Sequence, residues 1–311
     1  MDLTTIFYHV DNFCKQYEAY LQKRELPLFG ERSHGKAYQM TLSEVISVLV
    51  YHGTTSHEFK TFKAFYKYMQ DELQSAFPGL VSYGRMIELR EMVQVPLCMF
   101  LITLLGRCTG VSYGDSTKIE ACNIKRASSH KTLKKISAFG QTGSGWFYGS
   151  KLHLVLNHVG EIISFLLTPG NFVDNNHEVI RNLTQSLHGK FFADRGYIIH
   201  PDLWQELYER GLQVIHGLRS NMANKLMPMI DKILLRKRAC ISEGGFSILK
   251  DRQSLQYTKH RSIYGFLCHI VSMLIAYQLR PNKPSIRFSF GASQADFDGD
   301  LIKENALVTA C

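Results

Sequence analysis

Lys151-Leu152-His153-Leu154-Val155-Leu156, then Asn157-His158-Val159-Gly160, then Glu161-Ile162-Ile163-Ser164-Phe165-Leu166-Leu167 is the stretch from which the fold can be read. Both flanking runs are dense in Leu, Val, Ile and Phe, and the four residues between them carry a turn signal. A β-hairpin is expected. Pro169-Gly170-Asn171 ends the pair, and a helix is expected from about 176 to 187. Phe191-Phe192-Ala193 reads as another strand, stopped by Asp194-Arg195-Gly196. Pro201 opens a helix that Gly211 closes, and Gln213 to His216 is a further strand. Upstream, Val111 to Asp115 is a short strand, while helical stretches at about 220–256 (interrupted) and 262–279 complete the unit. Strands and helices in this order give a mixed sheet with helices packed on it, of the α/β or α+β class.

Residues 1–110 read as a separate helical domain. Thr41-Leu42-Ser43-Glu44 is a capping-box pattern opening Val45 to Tyr51, and Gly53 is expected to stop that helix. Phe59, Phe62, Phe65, Tyr66 and Met69 recur at helical spacing and read as core. Further helices are expected at about 83–94 and 96–105. The apolar run Ile263–Leu279 contains His269, Ser272 and Gln278, so a buried helix is expected rather than a membrane span. The sheet domain then covers 111–280, and 281–311, which lose the apolar periodicity, are expected to be a poorly ordered tail.

Of 311 residues, 45% are hydrophobic and 20% charged, which excludes wholesale disorder. The formal net charge is +9, and the basic residues are concentrated. Seven Lys/Arg against one acid lie between Lys118 and Lys151, and ten against three between Arg219 and Arg261. Such runs fit a polyanionic partner. The seven cysteines are scattered without a C-x-x-C pair, so neither a disulfide framework nor a zinc knuckle is expected, and a reducing cytoplasm is the expected compartment. No apolar leader follows Met1-Asp2, and no phosphate-binding G-x-x-x-x-G-K-[ST] loop for ATP occurs.

Two acids sit at expected strand ends, Asp115 and Asp194. Ligand sites of open sheets gather there. If the strands are neighbours the two carboxylates repel unless a cation lies between them, and oxygen ligands favour Mg²⁺ or Mn²⁺. Capping of the following turns is the alternative role. A third acid on a helix would complete a two-metal site for phosphodiester chemistry. Glu243 is the candidate, with Lys250 about 10 Å further along the same helix face to hold a phosphate. His153 and His158 fall on opposite strand faces and read as structural. Asp174, Asn175, His177 and Glu178 read as helix caps, and Trp146 and Tyr148 either stack on a DNA base or pack.

An ordered set of segments resembles bacterial insertion-sequence transposases of the DDE class. The segments are Gly114-Asp115-Ser116-Thr117, Cys122-Asn123-Ile124-Lys125-Arg126, and Gly145-Trp146-Phe147-Tyr148-Gly149-Ser150-Lys151-Leu152-His153-Leu154. Leu167-Thr168-Pro169-Gly170-Asn171, Ala193-Asp194-Arg195-Gly196-Tyr197-Ile198, Leu218-Arg219-Ser220-Asn221-Met222 and Phe246-Ser247-Ile248-Leu249-Lys250 follow in the family's order.

The resemblance implies an RNase H-like catalytic domain, shared with retroviral integrases, behind a helical domain that binds DNA ends. It implies Asp115, Asp194 and Glu243 as catalytic residues and ligands of Mg²⁺ (Mn²⁺ as substitute). Phosphates would be positioned by Lys125, Arg126, Lys131, Lys134, Lys135, Lys151, Arg219, Arg238 and Lys250. Expected partners are double-stranded DNA, as terminal inverted repeats and target, and a second copy of the chain in the DNA complex. No membrane or ATP is expected, and the location is the bacterial cytoplasm at the nucleoid. The sequence departs from the family at one place. Where the family has Arg-x-x-Ile-Glu, this chain has Arg238-Ala239-Cys240-Ile241-Ser242-Glu243-Gly244-Gly245, with one extra residue before the Glu. Asp251 is the fallback third acid. A catalytically inactive DNA-binding derivative and an RNase H-like nuclease without strand transfer are the alternative functions.

Overall fold

Short polar side chains set where the N-terminal helices begin, because each accepts a backbone N–H that the first turn leaves without a partner. In the computed structural model, residues 1–31, 38–59, 61–143, 145–217, 226–256, 259–290 and 306–310 are described. Asp2 caps α1 (Leu3–Lys23), accepting from Thr5 N at 2.8 Å. Thr41 and Glu44 form the expected capping box of α2 (Leu42–Thr55). Thr61 caps α3 (Phe62–Glu72) and Ser82 caps α4 (Tyr83–Met92); α5 (Gln94–Leu104) has no side-chain cap. Phe62, Phe65, Tyr66 and Met69 are buried, as their spacing implies. Gly53 is a correction: α2 runs through it. Its missing side chain serves packing, since a Cβ there would lie 2.9 Å from the Cβ of Ala276.

The quoted hairpin forms, and around it stands a six-stranded sheet. Its elements are β1 (Val111–Cys122), β2 (Ala138–Thr142), β3 (Gly145–Asn157), β4 (Ile162–Pro169), α6 (His177–Thr184), β5 (Gly189–Ala193), α7 (Pro201–Glu209) and β6 (Leu212–His216). The order is β2-β3-β1-β5-β6, with β2 and β4 lying end to end along one edge of β3. β3 runs antiparallel to β1, whereas β1, β5 and β6 are mutually parallel. Behind a helical N-terminal region, this mixed sheet is the RNase H-like arrangement that was expected.

Two strand expectations need correction. β1 does not stop at Asp115, because the long β3 pairs with it as far as Cys122. The edge facing β5 does end near there: that pairing runs only from Val111↔Lys190 to Tyr113↔Phe192. Asp115 is therefore interior on one edge and terminal on the other. β2 was not expected at all; its five residues gain order by pairing with the β3 extension.

Next come α8 (Met229–Ser247), a single π-helical turn at Ile248–Arg252, and α9 (Ile263–Leu279). Most of α9 is buried, packed on α2, α4 and α5. Among the described residues no helix is long and apolar enough to cross a membrane. Polar groups on α9 are matched to backbone. Gln278 Nε2 donates to Leu104 O at 2.6 Å, its Oε1 accepts from Ile162 N at 2.9 Å, and Tyr277 OH donates to Gly160 O at 2.7 Å. One apolar core thus runs from the N-terminal helices through α9 to the sheet. A smaller core lies beneath α6 and α7. Within 281–311, β7 (Ile286–Phe290) pairs antiparallel with β8 (Ala306–Ala310).

Candidate active site

Parallel pairing of β1 with β5 brings Asp115 and Asp194 level, each two residues past the paired Tyr113 and Phe192. Asp115 Oδ1 accepts from Ser116 N at 2.8 Å, and its Oδ2 accepts from Arg238 Nη1 of α8 at 2.9 Å. Burial raises the Asp115 carboxyl to about 6; Arg238 and the Ser116 amide pull it down, and Asp194 pushes it up. Burial therefore outweighs a direct ion pair. Asp194 also fills the capping role considered for it, its Oδ1 accepting from Gly196 N at 2.8 Å at the head of a short 3₁₀ turn.

A third aspartate joins this group, and it was missed as a site residue. Asp174 Oδ1 accepts from Ser116 Oγ at 2.8 Å and lies 3.3 Å from Lys151 Nζ and 3.8 Å from His153 Nδ1. The helix cap expected of it is made by Asn176, which accepts from Glu178 N and Val179 N. Asn175 instead donates to Ile198 O. The signal was Lys151 beside His153 on one face of an apolar strand, since a buried cation needs a carboxylate. Tyr197 lies fully buried among these acids. Its phenol is held well above its usual range, first by burial and then by Asp174, Asp115 and Asp194.

Glu243 is not with the aspartates. On α8 the sheet-facing stripe reads Asp231, Leu234, Arg238, Ile241, Ser242 and Gly245. Asp231 Oδ1 accepts from Lys190 Nζ at 2.6 Å, and Arg238 meets Asp115. One turn beyond Arg238 the buried position is Ser242, 1% exposed, whose Oγ has no hydrogen-bond partner. Glu243, about 100° further round the helix, is exposed. Nor do Glu243 and Lys250 share a regular α-helical face, because the π turn intervenes. Lys250 is nevertheless drawn toward Asp115: burial lowers its pKa, and Asp115 is the first group that opposes this. Asp251 accepts from Ser247 Oγ at 2.7 Å on the exposed side.

Residues 105–263, more than half of the chain, match the family model described as a transposase DDE domain. The chain belongs to the DDE transposases. No curated protein matches it.

The transposase family generally uses divalent metal ions and acts on DNA. The aspartates have the right chemistry for a hard cation, but the arrangement as it stands does not complete a site. Arg238 holds one Asp115 oxygen and Glu243 points away. No three His, Cys, Asp or Glu among the described residues are grouped to hold a metal. The basic residues divide into two kinds. Lys125, Arg126, Lys131, Lys134 and Lys135 are all exposed on the turns between β1 and β2, beside the exposed Trp146 and Phe139. Tyr148 is packed instead, against Phe139 and His130. Lys151 and Arg238 face inward onto Asp174 and Asp115. Arg219 lies outside the described residues.

Proposed function

We propose that this transposase cleaves phosphodiesters at the ends of an insertion sequence and joins them to target DNA. Water adds across a phosphodiester to leave a 3′-OH and a 5′-phosphate. That 3′-OH then attacks a target phosphodiester, displacing the target's own 3′-oxygen. Asp115 and Asp194 are the catalytic acids, and bound Mg²⁺ would supply charge stabilisation for the oxygens that enter and leave. Lys250 is positioned to meet a phosphate near Asp115. Lys125 to Lys135 track the DNA backbone, and two chains together hold two ends, with the N-terminal helices helping to bind them. The observation that carries this reading is the in-register pair of aspartates with a raised carboxyl at Asp115.

Glu243 is the third acid in this proposal, and the π turn supplies a route for it. A π turn absorbs one extra residue of a helix. Were that extra residue accommodated before Glu243 rather than at Ile248–Arg252, Glu243 would take the inward place now held by Ser242. The chain has one residue more between Arg238 and Glu243 than the family pattern, which fits such a shift. Gly244 and Gly245 weaken the helix there by about 1 kcal/mol each relative to Ala.

The test uses DNA from the gene's own flanks with Mg²⁺, Mn²⁺ or EDTA. Cleavage at a fixed position should vanish in Asp194→Asn and in Glu243→Gln, with DNA binding kept. Ser242→Glu puts an acid directly in the inward place and should strengthen Mn²⁺ binding measured calorimetrically. Cleavage retained by Asp194→Asn rejects the assignment. The inward Arg238 and outward Glu243 favour a second reading, a DNA-binding protein without catalysis. It is supported if wild type binds DNA equally with and without metal and never cuts.

A further inference from the structure

A cavity of about 610 Å³ opens among α2, α3, α4 and α9, and none of the three aspartates lines it. Its floor is two buried histidines, His52 and His269, with ring centroids 6.4 Å apart. Burial lowers the first imidazole to about 3 and the second to about 4, so both are neutral near pH 7. His269 Nε2 lies 3.1 Å from the Ser254 carbonyl, whereas His52 Nε2 is buried with no hydrogen-bond partner. The wall includes Phe62, with the Arg90 guanidinium 5.5 Å from its ring centre and Arg90 Nε without a hydrogen-bond partner. Lys63, Lys259 and Arg261 are exposed around the mouth, and no described lining residue is acidic.

These features select among ligands. A purely apolar ligand would leave the buried His52 nitrogen unsatisfied. A cation would meet only like charge at the rim. A nucleotide has a polar edge for the histidine floor, a flat face for Phe62 and a phosphate for the rim, and the volume is in the range of small-ligand pockets. We propose that this cavity binds a single nucleotide, base inward against Phe62 and phosphate at Lys259 and Arg261. The nucleotide is either free or extruded from a DNA strand, as base-reading proteins do.

Two arms separate those sources. The full-length chain is titrated with deoxyadenosine monophosphate by calorimetry, and separately with duplexes carrying 2-aminopurine, whose fluorescence rises on unstacking. Gly84 lines the cavity and is exposed, and a Cβ there would meet nothing within 4 Å, so Gly84→Leu adds bulk at the mouth without a clash at its Cβ. Lys259→Glu with Arg261→Glu changes only exposed side chains. Saturable mononucleotide binding, or a fluorescence rise, that falls about tenfold or more in both variants supports the site. No saturable binding and no fluorescence change in wild type overturns it. So does inorganic phosphate binding as tightly as the nucleotide, or either signal surviving in both variants. Asp194→Asn should leave both signals intact, so failure here is distinct from failure of the catalytic assignment.

Discussion

At Asp115 three effects compete, and burial wins: the carboxyl stays near 6 although Arg238 donates to it at 2.9 Å. Both side chains are about four-fifths hidden, so removing one partner leaves the other poorly compensated. Arg238→Met should lower unfolding free energy by about 1–3 kcal/mol, and adding Asp115→Asn should return most of it. A denaturant-melt double-mutant cycle checks this; additive losses would mean that the ion pair is not the source. Asp115 and Asp194 stood out in the sequence because each follows an apolar run at an expected strand end, where turn capping was the alternative role, and Asp194 does cap such a turn. Asp174 was not, because its partners Ser116, Lys151 and His153 come from two other strands. Local spacing offered helix capping, which the nearby Asn176 performs.

Among the elements, glycine separates packing from punctuation. Gly53 and Gly84 both lie in helices. A Cβ at Gly53 meets Ala276 Cβ at 2.9 Å and the Ser272 carbonyl at 3.1 Å, whereas one at Gly84 meets nothing. Gly53→Ala must push α2 off α9 and should cost about 1–3 kcal/mol despite the better helix propensity. Gly84→Ala lies in the first turn of α4, where the interior propensity difference is not fully felt, and should stabilise by about 0.5 kcal/mol or less. Thermal melts of the pair check both signs, and a stabilised Gly53→Ala would show that the α2–α9 contact is slack. Sequence read Gly53 as a stop because a local pattern cannot know that α9 crosses there. The capping box, by contrast, is complete within four residues and was legible in full. β2 lay beyond local reading for the same reason as Gly53, since its partner is the far end of β3.

On the scale of the whole molecule, three histidines are folded into the interior as neutral rings. His52 is lowered to about 3, and His153 and His269 to about 4, in each case chiefly by burial. An unfolded histidine titrates near 6.5, so between about pH 6 and pH 4.5 the unfolded chain binds up to about three more protons at these positions. Asp115 acts oppositely: raised to about 6 from 3.8, it holds an extra proton in the folded state across the same window. These four groups leave a net excess of about two protons on the unfolded side, so together they should lower stability by about 3 kcal/mol per pH unit on acidification through that window. Above about pH 6.5 the histidine contribution is complete and the profile should flatten. His52→Leu removes one titrating ring whose Nε2 has no hydrogen-bond partner, and should make the acid limb shallower. Asp115→Asn removes the opposing proton and should make it steeper. Because His52 and His269 lie between α2 and α9 while His153 lies in β3, and one core joins these regions, the loss should appear as a single cooperative transition. Melting curves from pH 4 to pH 8 for the three proteins decide it. An acid limb that His52→Leu leaves unchanged would mean that His52 does not contribute to the acid stability of the chain.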